Sequence, residues 1–239
     1  MEPFLDRPRF VRLTSQQEAE FGMDWPMLRA LGSEERRELL RRTRRRQFAR
    51  NEILFHEGDP ADSLHLLNRG RVSIRAAIRS GDAVTLAIVG TGTVLGELAL
   101  LSGANRRAAT VTALEPTETL CLYHDEFDQL RREHPSVDRF LVELLAAEVR
   151  RLDARLLEAL YVPAETRVMR RLLDLARLYQ TDGRGAVIPL SQEVLASLAG
   201  TSRSTANQAL RAAEAAGAIA VARSKIEILD LGAVEHRAR

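Results

Sequence analysis

Residues 191–216, SQEVLASLAGTSRSTANQALRAAEAA, carry two short apolar-faced segments separated by a glycine. Ser191 suits an N-cap, where a side-chain oxygen takes a free backbone N–H of the first turn. Val194, Leu195 and Leu198 then give a first helix one apolar face. Gly200 breaks it, because a tight turn between helices favours a residue that tolerates positive φ. Ala196 is small where two helices would cross. Ser202 is a second N-cap, and the helix behind it turns Thr205, Ala206, Ala209, Leu210 and Ala213 inward. Arg203, Ser204, Asn207, Gln208 and Arg211 stay on its outer face. A generic helical hairpin fits the apolar pattern. The turn glycine, the small residues and the arginine opening the second helix favour a helix-turn-helix that reads a DNA groove.

Working outward, Ile219-Ala220-Val221 and Ile226-Glu227-Ile228-Leu229 read as a terminal hairpin, with Arg223, Ser224 and Lys225 at its turn. Such a wing can touch a phosphate backbone. The expected DNA-binding set is Gln192, Ser202, Arg203, Ser204, Thr205, Asn207, Gln208 and Arg211 on the two helices, and Lys225 on the wing. Upstream, Pro163 interrupts any helix and makes residues 160–166 a natural hinge. Before it a long helix is predicted from Ser136 to Tyr161. Val142, Leu145, Val149, Leu152, Leu156 and Ala159 recur along it at spacings of three and four, a heptad seam. Such a seam needs a partner surface. That surface is either its own domain or, as length and regularity favour, a second copy in a two-fold dimer.

From Phe48 to Tyr123 the pattern changes to short strands. Ile53-Leu54-Phe55, Leu64-His65-Leu66-Leu67, Val72-Ser73-Ile74 and Val84–Val89 alternate with glycines at 58, 70, 81, 90 and 92. Many short strands at regular spacing predict an antiparallel jelly roll. Inside this region Gly96 and Glu97 precede Arg107. A helical turn opening at Gly96 would present free N–H groups, and those with Arg107 could cradle a phosphate. Glu97 could accept from a ribose hydroxyl. The set suits a cyclic nucleotide. In isolation, an ordinary glycine-flanked turn with an exposed salt bridge accounts for it equally well.

Composition bounds these readings. With 45% hydrophobic and 28% charged residues, the chain of 239 residues should form a packed core in one or two domains. No run of 18 apolar residues exists to span a membrane. The first residues lack the pattern of a signal peptide, so the expected compartment is the cytoplasm. Cys121, the only cysteine, excludes an internal disulfide and a cysteine-ligated cluster, and reads as core. A net charge of +2 is too small to argue for nucleic acid by itself. The arginines between Arg36 and Arg50, interspersed with glutamates, read as a solvated helix face. Residues 26–46 are predicted helical, with Ser33 as cap and Leu39 and Leu40 inward. The expected division is an arm at 1–25, a roll at 26–135, a dimer helix and hinge at 136–162, and a winged helix-turn-helix at 163–239.

This order, roll then long helix then hinge then winged helix-turn-helix, resembles the cAMP receptor protein family of bacterial transcription factors, the CRP/FNR superfamily. The stretches NEILFHEGD (51–59) and NRGRV (68–72) also look like that family's first strands and turns. The resemblance implies an α+β fold and a homodimer that binds a palindromic operator in double-stranded DNA under control of cAMP. It implies that Glu97 takes the ribose 2′-hydroxyl and Arg107 the cyclic phosphate. Gly96, Leu98 and Ala99 would line the cradle, with Ala108, Arg155 and Leu156 nearby. RNA polymerase is the further expected partner, with residues 180–184 as candidate contact.

Three departures modify those expectations. Ala108 stands where cAMP sensors of the family usually carry Ser or Thr. Residues 153–157, DARLL, offer no hydroxyl or amide to an adenine. Arg203-Ser204 replaces the common Arg-Glu, and Gln208 a common arginine. Arg203 still suits guanine O6 and N7. A weak or altered cAMP response and a related but different operator are therefore expected. Cluster-sensing and haem-sensing branches do not fit, because their cysteines and paired histidines are missing, and no metal is expected. Two rivals stay open: a nucleotide-independent regulator with a vestigial pocket, and an allosteric enzyme that uses the roll as a regulatory module. Against the enzyme, the chain has no Gly-x-Ser-x-Gly, no P-loop and no metal-ligand cluster.

Overall fold

Helix α1 (Ser33–Arg42) stops at Thr43, whose buried hydroxyl donates to Leu40 O at 2.7 Å. The chain then turns into strand β2 (Arg44–Phe48), so the helix predicted to residue 46 is four residues too long. Arginines tolerate a helix well, but pairing with a neighbouring strand overrides that local preference. Ser33 is also not the cap. Gly32 holds that position without a side-chain bond, and Glu34 and Glu35 sit in the first turn, where carboxylates suit the helix dipole. The computed structural model describes residues 11–12, 28, 31–79, 81–97, 106–180 and 185–239. The predicted arm at 1–25 thus lies outside the described residues except for β1 (Val11–Arg12), which pairs with β2.

The chain divides into two compact units, Met1–Ile74 with Val89–Glu148, and Arg75–Ile88 with Val149–Arg239. In the first, β4 (Ser63–Arg69), β7 (Val94–Leu95) and β9 (Thr117–Tyr123) join β1 and β2 in the order β1-β2-β9-β4-β7. A second sheet runs β3-β8-β5-β6, from β3 (Ile53–Phe55), β8 (Thr110–Ala113), β5 (Arg71–Ala77) and β6 (Ala83–Gly90). Every predicted strand is present.

Strands β4 and β9 are buried on both faces, with leucines on one face and small or polar residues such as Ser63, His65 and Thr119 on the other. Leu64, Leu66, Leu120 and Leu122 pack against Leu39 and Leu40 of α1, Phe127 and Leu130 of α2 (His124–Glu133), and Phe140 and Leu141 of α3 (Ser136–Tyr161). On the other face Leu67 joins Phe48, Leu54, Val72, Leu95 and Val111 inside the roll. His65 shares this inner face. Its Nδ1 lies 3.0 Å from Thr119 Oγ1, and its ring tilts against Phe48 and Phe55.

Helix α3 starts and ends at its predicted residues. Its first turns are buried, yet Val142, Val149, Leu152 and Leu156 are 65%, 56%, 51% and 58% exposed. In the second unit α4 (Ala164–Tyr179), α5 (Gln192–Leu198), α6 (Arg203–Ala215) and α7 (Leu231–Arg237) close around Val168, Leu172, Leu195, Ala206 and Leu210. Three strands, β10 (Val187–Ile188), β12 (Lys225–Ile228) and β11 (Ile219–Ala222), form the wing. Its turn is Arg223-Ser224. Lys225 pairs across the hairpin with Ala222, inside the strand rather than at the predicted turn.

Burial lowers the His65 pKa from 6.5 to about 3, with Arg46 and Arg107 adding repulsion. The folded value lies below the unfolded one, so the unfolded chain takes the proton first as pH falls. The stability this buried neutral ring contributes is complete above about pH 6.5 and is lost on the way down to about pH 3. His65→Leu should therefore gain stability relative to the parent as pH drops from 6.5 to 4, measured by denaturant unfolding. Parallel pH profiles for the two proteins would refute this assignment.

Candidate functional site

Two sites emerge, one in each unit. In the first, β7 delivers the chain to Gly96, whose φ is +81°. A Cβ there would run into Arg107 Nη1 and lie 3.2 Å from Ser63 O, so the backbone and the arginine stem approach closely only because the residue is glycine. Arg107 is 5% exposed. Its Nη1 donates to Ser63 O at 2.6 Å and its Nη2 to Ser63 Oγ at 3.0 Å. The guanidinium lies 4.2 Å from the Phe55 ring centroid. Asp62 stands 3.5 Å away but is well exposed, so it compensates the charge weakly.

The fork of Arg107 is thus held from one side, while its buried Nε has no partner among the described residues. A buried cation with an idle donor is costly unless something anionic meets it. Burial accordingly pulls the arginine pKa down, and Asp62 partly restores it. Glu97, half-buried, follows Gly96 directly, and Ala108 is exposed beside Arg107. Leu98 and Ala99 lie outside the described residues. The donor set fits a phosphate beside Arg107, and the described part of the cradle has the glycine that such an approach requires.

Arg46, which the sequence reading left in a solvated cluster, belongs to this inner face. Strand pairing sets it opposite Thr119, two residues from Phe48, with its guanidinium 5.0 Å from the Phe48 ring. Its buried Nε also has no partner among the described residues. Its neighbours in the cluster are matched by carboxylates: Arg42 by Glu38 and Glu133, and Arg45 by Glu118. Only the alternation of β2, hidden by the predicted helix, could have singled out Arg46.

In the second unit the two N-caps form as read. Ser191 Oγ accepts from Val194 N at 3.3 Å, and Ser202 Oγ from Thr205 N at 3.1 Å. Gly200 takes φ +59° at the turn. Helix α6 buries Ala206, Ala209, Leu210 and Ala213. Arg203, Ser204, Gln208 and Arg211 are exposed, and Thr205 and Asn207 half-buried. Arg203 and Gln208 therefore project from a helix whose opposite face is core, the arrangement that groove reading needs.

The comparisons decide the family. Residues 45–134 match the cyclic nucleotide-binding domain and residues 166–237 the Crp-like helix-turn-helix domain. The cyclic AMP receptor protein of Thermus thermophilus is 32% identical over 210 residues, covering 88% of this chain and 95% of that protein. The chain belongs to the CRP/FNR family. It is a transcription regulator of that family, with a cyclic nucleotide-binding domain and a DNA-binding helix-turn-helix. A CRP-like cAMP-activated global transcriptional regulator of Mycobacterium tuberculosis is 29% identical over 195 residues, 80% of this chain and 87% of that one. Among solved structures, the Thermus thermophilus catabolite activator protein is 31% identical, with TM-score 0.52 over 89% of this chain and 98% of that one. Another CRP family transcriptional regulator of Thermus thermophilus is 27% identical, with TM-score 0.67 over 81% of this chain and 96% of that one.

For a CRP/FNR regulator the remaining predicted residues fall as follows. Gln192 opens α5, half-buried. Lys225 is exposed, but its Nζ lies 3.2 Å from Glu227 Oε2, so it is already paired on its own strand. Arg223, exposed at the wing tip, was read as part of the turn but not included in the expected DNA-binding set. Arg155 Nη1 donates to Leu86 O at 2.9 Å, and Leu156 is exposed. Of the loop 180–184, residues 181–184 lie outside the described residues. Among the described residues no group of three His, Cys, Asp or Glu could hold a metal, and no helix is long and apolar enough to cross a membrane.

Proposed function

We propose that this regulator is a cytoplasmic homodimer that clamps a palindromic operator and is tuned by a cyclic nucleotide, with cAMP the first ligand to test. The observation that carries the effector half is Arg107: buried, held by Ser63, close to Gly96 through Nη1, and with an Nε that has no partner among the described residues. Arg107 holds the phosphate, and Glu97 accepts from the ribose hydroxyl. Ala108 supplies no hydroxyl, which favours a weaker or altered nucleotide preference. The expected division into roll, dimer helix with hinge, and winged helix-turn-helix stands as part of this reading. RNA polymerase is its further partner.

Dimerisation draws support from the exposed row on α3. A monomer leaving Val142, Val149, Leu152 and Leu156 in water exposes a contiguous apolar stripe, which usually marks an interface. Pairing with the same stripe of a second copy is self-complementary. The two recognition helices then enter successive major grooves about one helical turn apart. Effector binding shifts the populations of two module arrangements, which requires different affinities for them.

Arg107→Ala should cost about 1.5–3 kcal/mol of nucleotide binding or more. Calorimetry with cAMP reads it, with thermal unfolding to check the roll and Arg107→Lys as a variant that keeps the charge without the fork. Undiminished cAMP affinity in Arg107→Ala would remove the pocket, and a parent that binds no cyclic nucleotide would favour the vestigial reading.

Leu152→Asp should weaken the dimer, because burying an unpaired charge in an apolar seam is strongly unfavourable. Analytical ultracentrifugation decides. A variant as dimeric as the parent would turn the seam toward its own domain.

Arg203→Ala should lose about 1–3 kcal/mol on a matched operator and relax the preference at one guanine per half-site. Losing Arg211 should instead weaken all sequences and flatten the salt dependence. Equal loss of Arg203→Ala on matched and guanine-substituted operators would make Arg203 a phosphate contact.

A further inference from the structure

The break after α3 leaves a specific atom unsatisfied. In a continuous helix Ala159 O would accept from the N–H four residues on, but that residue is Pro163, which has none. The structure fills the gap from below. Arg167, in the first turn of α4, donates from Nη1 to Ala159 O at 3.2 Å and to Val162 O at 3.0 Å. The same guanidinium donates from Nε to Ala199 O at 3.0 Å and from Nη2 to Gly200 O at 3.1 Å. Ala199 and Gly200 form the turn between α5 and α6.

One planar cation therefore joins four carbonyls, two at the end of the central helix and two at the turn that launches the recognition helix. Both are helix C-termini, where unsatisfied carbonyls concentrate partial negative charge. Arginine suits the task because its donors diverge in a fixed plane, and a lysine ammonium cannot span them. Glu158 strengthens the same junction. It is largely buried and accepts from Arg170 at 3.3 Å and from Arg171 at 2.5 Å, both on α4.

We propose that Arg167 is a positioning residue that fixes the angle between the end of α3 and the helix-turn-helix, and thereby the half-site spacing the dimer accepts. The angle stands on these contacts alone. The spacing also rests on the two-fold reading above.

The test uses the full chain as the parent, Arg167→Ala and Arg167→Lys. Hydrogen exchange is followed at the amides of Gly200 and Thr201, with those of Leu172 and Leu210 as core references. Both variants should lose protection at the turn by about tenfold or more while the core references hold, as expected for local rather than global opening. Parent-like protection at the turn in Arg167→Ala overturns the proposal. If the core references fall with the turn, Arg167 is merely structural and the proposal is also overturned.

Binding is then measured on one half-site and on palindromes whose half-site separation is changed by one base pair either way. The parent should prefer one separation. Arg167→Ala should keep its affinity for the single half-site and lose that preference. Equal weakening on every DNA with the preference intact refutes the spacing claim. A parent with no spacing preference refutes the two-fold reading instead, and the exchange result then decides Arg167 by itself.

Discussion

The antiparallel pairing of β4 with β9 governs the first unit. Its register sets Ser63 against Tyr123, His65 against Cys121 and Leu66 against Leu120. Because side chains alternate, that one register assigns Ser63 to Leu67 and their partners to a layer, up to the register shift between Leu67 and Arg69. Leucines 64, 66, 120 and 122 go to the helices, and Ser63, His65, Thr119 and Cys121 go inside the roll. A slip by one residue would place the leucines against Arg107 and leave the histidine among helices. The proposed effector site depends on the same choice, because Ser63 is both a rung of this ladder and the anchor of Arg107.

Much of this was legible in the sequence where local chemistry and tertiary demand agree. The caps Ser191 and Ser202, the turn at Gly200 and both ends of α3 follow from short-range rules, and the structure keeps them. The roll strands followed from alternation and glycine spacing. Residues 44–46 were read as the end of a helix because arginines suit one and only the partner strand β9 makes them extended. The seven-residue helix α7 carries too few turns to show a period of its own. Within the sites, Gly96, Glu97 and Arg107 were visible as a motif, whereas Ser63, Phe55 and Arg46 were not. Those three come to Arg107 and its neighbours from strands distant in sequence, and only the folded sheets bring them there.

Charge is handled differently in the two sites. The arginines along α1 and β2 read as a solvated cluster in the sequence, and Glu38, Glu133 and Glu118 neutralise Arg42 and Arg45. Among the described residues, Arg46 and Arg107 on the roll's inner face and Arg36 on α1 have buried Nε donors without a partner, and Arg203 and Arg211 are exposed on α6. The small net charge of +2 hides this sorting, because matched pairs cancel in the sum while unmatched cations define the working surfaces.

Cys121 stands on the inner face of β9, fully buried, with its thiol pushed up by that burial and its sulfur 3.9 Å from His65 Nε2. A thiol that is both inaccessible and protonated does not react with alkylating reagents while the sheet is closed. It becomes reactive when β9 separates from its neighbours. As the sole cysteine of the chain, it gives the roll a built-in clock. The rate of its modification in native buffer reports how often the effector-side sheet opens, and a label placed elsewhere by a new cysteine meets no competing signal from the folded protein.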